Sequence, residues 1–261
     1  MPSVDDIALF LDHFAPPTLA ESWDNVGLLI GHRQQPVERL MTCLTVTPAS
    51  AAEAIAAGAN LIVSHHPLPF RALKRLTSDT SEGRILLELI AARVAIFSPH
   101  TAFDSAIQGI NQRLADGLQL VDVAPLVPAD EPGQGAGRAG RLSKPSSLLE
   151  LSERVKTLLS IDNLQFVGDR DAPLAKVGVA CGSAGEFLGP AQAAGCQCLV
   201  TGEVRFHTAL EAESLGMSLV LAGHFASERF AVEQLADVLA AEFPSIKTWA
   251  SQQEKDPIQW R

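Results

Sequence analysis

The chain has 261 residues, 47% hydrophobic and 19% charged, a balance typical of a globular chain and sufficient for one large or two small domains with a sizeable core. Its formal charge of −10 argues against a general nucleic-acid-binding surface and is compatible with cation binding. The opening MPSVDDIALFLDHF carries acids where a secretory signal needs bases, and no apolar run approaches bilayer length, so a cytoplasmic protein without membrane attachment is expected.

In chain order, Val4 to Phe14 has helical apolar spacing and is followed by Pro16 and Pro17. A loop with Trp23, Asp24 and Asn25 leads into a strand at 26–30. Strands at 40–46 and 61–65 flank an alanine-rich helix at 49–57, closed by Gly58. A helix at 82–94, a strand at 94–98 and a helix at 105–117 complete the first half, 1–123. Residues 124–146 are rich in Pro, Gly and Ala and lack apolar periodicity, so they are read as a linker. A literal G-x-G-x-x-G at Gly135, Gly137 and Gly140 follows proline-rich loop rather than a strand, so dinucleotide binding is not expected. The second half, 147–261, has helical spacing at 147–159, 184–194, 205–215 and 228–243. Its strands fall at 164–168, 176–181, 198–202, 218–223 and 246–250. This alternation predicts an α/β layer structure with largely buried strands. Cys43, Cys181, Cys196 and Cys198 lie in or beside those apolar runs with no C-x-x-C pair, and read as small buried hydrophobes.

The two halves resemble each other. AGANLIVSHH (57–66) aligns with AGCQCLVTGE (194–203), and RVAIFSPHTAFDSAIQGINQRLAD (93–116) aligns with MSLVLAGHFASERFAVEQLADVLA (217–240). The second alignment superposes His100 on His224 and Asp104 on Glu228, two H-x3-acid patterns at the end of a strand. Packing requires neither residue type there, so the coincidence points to an internal duplication.

Five of the seven histidines, His65, His66, His100, His207 and His224, fall at strand ends or in the following turn, with Asp104, Glu203 and Glu228 beside them. Open α/β sheets place ligands at such ends. Imidazole and carboxylate together suit zinc, iron, manganese or cobalt, and the lack of cysteine ligands argues against a purely structural zinc. Adjacent side chains on an extended segment diverge, so His65 and His66 fit two neighbouring ions better than one. Two ions held close together activate water for hydrolysis. Singly, each residue has a plainer reading: His65–His66 as a turn closing a strand, Asp104 as the N-cap of helix 105–117, and Glu228 as a charge favouring a helix dipole. Trp23, Asp24 and Asn25 read first as an Asx-turn with Trp23 packed on the core, the alternative being that Asp24 or Asn25 reaches the site. Arg138 reads equally as a grip on an anionic substrate group or as a solvated loop arginine.

SWDNVGLLIG (22–31), SHHPLPF (64–70), SPHTAFD (98–104), GAGRAGRL (135–142), TGEVRFH (201–207) and GHFASE (223–228) together resemble, in order, the signature blocks of the Nif-three-like family (NGG-interacting factor three), often labelled type-two GTP cyclohydrolase I. The likeness spans nearly the whole chain. It implies duplicated, intertwined α/β repeats with mixed sheets, a metal cleft between the halves and assembly as a homohexamer. It also implies two divalent ions per chain on His65, His66, Asp104, His224 and Glu228, with Glu228 bridging. His100 and His207 match positions that line the site and are assigned catalytic roles. The chain departs from the family at Glu203, where aspartate is usual, and at Phe206, often histidine. Some relatives insert a further domain, which the short 124–146 segment leaves no room for. Two functions follow: a metal-dependent, cyclohydrolase-like hydrolase of a small molecule, or a non-catalytic metal-binding or regulatory scaffold.

Overall fold

In the computed structural model, which describes residues 1–259, these elements gather into two units, one made of 1–103 and 231–257, the other of 104–230 with 258–259. The first unit holds a five-stranded sheet in the order Gly27–Ile30, Ala95–Ser98, Leu61–Ser64, Arg39–Cys43, Lys247–Ala250. Four strands run parallel and Gly27–Ile30 runs antiparallel at one edge. Leu61–Ser64 and Ala95–Ser98 are buried along their whole length, as expected of parallel strands covered on both faces. Met41, Ile62 and Ile96 of the sheet pack with Ala51 and Ala54 of helix Pro48–Ala56 and Leu86 and Leu89 of helix Ser81–Ala91. At the other edge Glu53 accepts hydrogen bonds from Trp249 Nε1 (3.1 Å) and Ser251 Oγ (2.6 Å), which fastens Lys247–Ala250 to its own unit.

The second unit holds a six-stranded mixed sheet in the order Leu120–Ala124, Arg138–Ser147, Pro173–Ser183, Cys198–Glu203, Ser218–Leu221, Gln165–Val167. Three of its four inner strands, Pro173–Ser183, Cys198–Glu203 and Ser218–Leu221, are mutually parallel, and the rest pair antiparallel. In each unit a pair of adjacent parallel strands is joined through a helix and followed at once by a histidine helix. The pair is Leu61–Ser64 with Ala95–Ser98 in one and Cys198–Glu203 with Ser218–Leu221 in the other. That is the structural counterpart of the aligned segments.

Three expectations about local structure change. Residues 124–146 are mostly ordered sheet: Val127–Pro128 pairs with Gly135–Ala136, and Arg138–Ser147 pairs on both sides. Gly140 is needed for that packing, since a Cβ there would lie 2.8 Å from the Leu120 Cβ. Helix 105–117 is two pieces, His100–Ser105 and Ile110–Gly117, and the N-cap of the second is Gly109, so Asp104 is no cap. Helix 228–243 starts earlier and runs His224–Glu242, which puts His224 and Glu228 one turn apart on it. The chain crosses between units inside these two histidine helices, between Phe103 and Asp104 and between Phe230 and Ala231. Among the described residues, no helix is long and apolar enough to cross a membrane.

Candidate metal centre

In the first unit, strand Leu61–Ser64 ends by extending its parallel ladder, with His65 N donating to Cys43 O (3.0 Å) and His66 N to Leu44 O (2.8 Å). Ser98 Oγ donates to His65 O at 2.6 Å and holds the turn against the neighbouring strand. The two rings do not diverge as on a continuing strand. Their centroids are 5.1 Å apart, and the His100 ring stands 5.1 Å from His65 and 5.6 Å from His66. One ligand atom from each of the three lies within 4.8 Å of the others, with His65 buried and the other two half-buried. The strand stops at Ser64, so the alternation of faces lapses there.

Two of these rings are oriented by neighbours. His66 Nδ1 is hydrogen-bonded to Thr45 Oγ1 at 2.7 Å. His100 Nδ1 donates to Asp24 Oδ1 at 2.7 Å, and Asp24 Oδ2 accepts from Thr101 Oγ1 at 2.5 Å and Thr101 N at 3.1 Å. Burial pushes the Asp24 carboxyl up, but the hydrogen bonds from His100 and Thr101 outweigh it and hold the group down at about 2. Asp24 is therefore an anion whose proton stays on His100. This settles the 23–25 block against its first reading: Asp24 reaches the site, and Trp23 is 60% exposed rather than packed on the core. His100 itself sits at φ +26°, a strained conformation for a non-glycine residue that persists where the surroundings over-determine it.

In the second unit, His224 is held at both nitrogens, Nδ1 by Glu203 Oε1 at 3.0 Å and Nε2 by Glu228 Oε2 at 3.2 Å. The bond to Glu228 raises the imidazole most, burial opposes it, and Glu203 adds to the rise, leaving His224 at about 9. Glu228 is buried, and its seat depends on glycine: a Cβ on Gly182, at φ +66°, would come within 2.2 Å of Glu228 Oε1. Ser227 ties that seat together, accepting from Gly182 N at 3.0 Å and donating to His224 O at 2.9 Å. Asp104 Oδ1 accepts from the Cys181 thiol at 3.2 Å. Burial, then the charges of Asp104 and Glu228, push that thiol well above its ordinary range, so it stays a neutral donor between two carboxylates.

Within the first unit His65, His66 and His100 form one cluster, and within the second His224 is bonded by Glu228 and Glu203. Asp104 lies with Cys181, and His207 is exposed at the start of helix Phe206–Ser214, with its ring 5.8 Å from Phe206. Arg138 fits neither of its readings. It is 1% exposed and spends its guanidinium on carbonyls of Gly135, Gly137, Ser105 and Ala106 and on Gln112 Oε1, which fixes the turn just after Asp104. Thr45, Thr101 and Cys181 carry no signal in the sequence as orienting groups. The donor set of imidazoles and carboxylates, with a buried glutamate seated against a glycine, suits a borderline divalent ion.

Sheet order, histidine helices and donor set define an α/β protein with a His/Glu cluster able to hold a metal ion. The chain matches the Duf34/NIF3 (NGG1p interacting factor 3) family over residues 2–257 and belongs to it. It is 30% identical over 260 residues to a "GTP cyclohydrolase 1 type 2 homolog" of Clostridium perfringens, covering 98% of this chain and 99% of that one. It is 32% identical over 258 residues to "NIF3-like protein 1" of Drosophila melanogaster, covering 95% and 86%. The crystal structure of Staphylococcus aureus protein SA1388 superposes with a TM-score of 0.90 at 26% identity, covering 99% of both chains.

Proposed function

We propose that this protein binds two divalent ions per chain through His65, His66, Asp104, His224 and Glu228 and acts as a metal-dependent, cyclohydrolase-like hydrolase of a small molecule. The observation that carries the reading is the imidazole cluster whose ligand atoms lie within 4.8 Å, one ring of it anchored by a buried carboxylate. When bound, divalent ions acidify water and neutralise charge developing on an oxygen. The residues supply the rest. Asp24 keeps a proton on His100 Nδ1, so Nε2 retains its lone pair and can take a proton from water and return it to a leaving group. Thr45 at His66 Nδ1 and Glu203 at His224 Nδ1 direct the opposite nitrogen of each ring toward a ligand, the role outer partners play in metal sites. The name of the Clostridium perfringens relative supports the cyclohydrolase part of the proposal. Homohexameric assembly and a cytoplasmic location complete it.

Elemental analysis of protein purified without chelating resin is the first test, with two ions per chain expected. Turnover of the metal-loaded protein on nucleotides, phosphoesters and amides is the second. Hydrolysis lost in His100→Ala and in Glu228→Gln supports the enzyme. Metal-loaded protein with no such turnover overturns it in favour of a binding scaffold.

A further inference from the structure

Two exposed rings stand beside His100 of the imidazole cluster. Trp23 is 60% exposed and Phe70 is 40% exposed, although each is a large apolar side chain. Their centroids are 6.0 Å apart, and they stand 6.1 Å and 6.2 Å from the His100 ring. They are held in place. Asn25 Nδ2 donates to Pro69 O at 2.7 Å and ties the Trp23 loop to the Phe70 loop, while Asp24 ties the same loop to His100 and Thr101. Leaving two aromatic faces in water on a braced rim is costly for a protein with no use for them, and fixed aromatic faces are what planar rings stack on.

The charge beside them is as distinctive. Residues 67–77, PLPFRALKRLT, carry Arg71, Lys74 and Arg75 and no acid, in a chain of net charge −10. All three cations are exposed and lie within five residues of Phe70 in the chain. A local cationic run in an acidic protein concentrates anions there rather than over the whole surface.

We infer that Trp23, braced edge-on by Phe70 at 63°, forms a stacking platform for a planar heteroaromatic ring beside the imidazole cluster, with Arg71, Lys74 and Arg75 receiving its phosphate. The ligand class is a mononucleotide or a compound built like one. This deepens the hydrolase proposed above and rests on it only for what happens after binding. Trp23 and Phe70 are specificity-determining residues here, and His100 places the reactive group beneath the stacked ring.

The test uses the full-length, metal-loaded protein with guanosine and adenosine monophosphates, the corresponding nucleosides and inorganic phosphate as probes. Binding is read by calorimetry and by tryptophan fluorescence. Both mononucleotides should bind and quench, Trp23→Ala should weaken them about tenfold or more, as loss of one stacking contact does, and Phe70→Ala, which removes only the edge-on brace, should weaken them less. Trp23→Phe should keep most of the affinity. Combined Arg71→Gln, Lys74→Gln and Arg75→Gln should weaken the mononucleotides and leave the nucleosides unchanged. Metal stoichiometry and melting temperature of the ring variants should match the parent. Mononucleotide binding untouched by Trp23→Ala overturns the inference, as does metal-replete protein that binds no ring-containing probe, which leaves the metal reading standing. A single-stranded oligonucleotide bound far more tightly than either mononucleotide also overturns it. Conversely, Trp23-dependent binding by protein that holds no metal sustains the platform and removes the metal reading.

Discussion

The two histidine helices begin from one repeated pattern and differ in what holds each imidazole. His100 is gripped from outside the aligned segments, by Asp24, whose side chain is 0% exposed and whose other oxygen is filled by Thr101. His224 is gripped from within, by Glu203 at the end of a neighbouring strand, and that side chain is 49% exposed. A buried charged pair is costly to leave half-made, whereas an exposed pair is screened by water and salt. The difference teaches that one repeated pattern can place two imidazoles alike and still leave them unequally anchored. The ring with the buried anchor is the one fixed for a single proton arrangement.

The strongest attempt to break the comparison is to separate the repeats. We propose that 1–123 and 147–261 do not fold apart, because 1–123 lacks strand Lys247–Ala250, which pairs along Arg39–Cys43, and the Trp249 and Ser251 donors that satisfy Glu53. Either fragment expressed alone should aggregate or fail to unfold cooperatively by calorimetry. A soluble, cooperative fragment 1–123 would show that the first repeat stands without that edge.

Next in size is the contrast between the helices themselves. Glu228→Gln should lower metal affinity by more than the roughly 10–100-fold typical of an outer partner, while His100→Ala stays within it. Metal titrations of both variants decide the matter. If His100→Ala strips an ion and Glu228→Gln keeps both, then His100 is a ligand and the two repeats are more alike than their anchors imply.

The anchors can be compared directly. Asp24→Asn keeps the shape but donates where Asp24 accepts, so His100 loses its tautomer, and the proposed turnover should fall about 10–100-fold. Glu203→Gln should cost only severalfold, the range of an exposed pair worth about 1 kcal/mol. Equal losses would mean that exposure does not grade these anchors.

Much of this contrast could be read before any coordinates, and its limits are physical. The H-x3-acid spacing puts both groups one helical turn apart, so the ligand types and the repeat are local signals. Parallel buried strands are local too, since their apolar runs carry no alternation. The Asp24–His100 bond joins positions 76 apart, and nothing in either neighbourhood announces it. Arg138 misled for the opposite reason. Its glycines look like a flexible loop, yet they admit close strand packing, and the arginine is buried against five carbonyls, of Gly133, Gly135, Gly137, Ser105 and Ala106.

The smallest expected effect concerns pH, and it tests the two carboxylates that hold His224. In metal-free protein the His224 imidazole is raised from its ordinary 6.5 to about 9 by Glu228 and, more weakly, by Glu203. A group raised on folding stabilises the folded state fully below its unfolded value and loses that contribution as pH climbs through the folded one. Chelator-treated protein should therefore lose melting temperature between pH 6.5 and about 9 from this group. Glu203→Gln should flatten the decline in part, and Glu228→Gln should flatten it more, in the order in which the two carboxylates raise the imidazole. Metal-loaded protein should show no such slope, because a ligating imidazole is already deprotonated and the proton has left on binding. Melting curves at matched ionic strength measure all four cases, and a decline that survives Glu228→Gln unchanged would place the titrating group elsewhere in the protein.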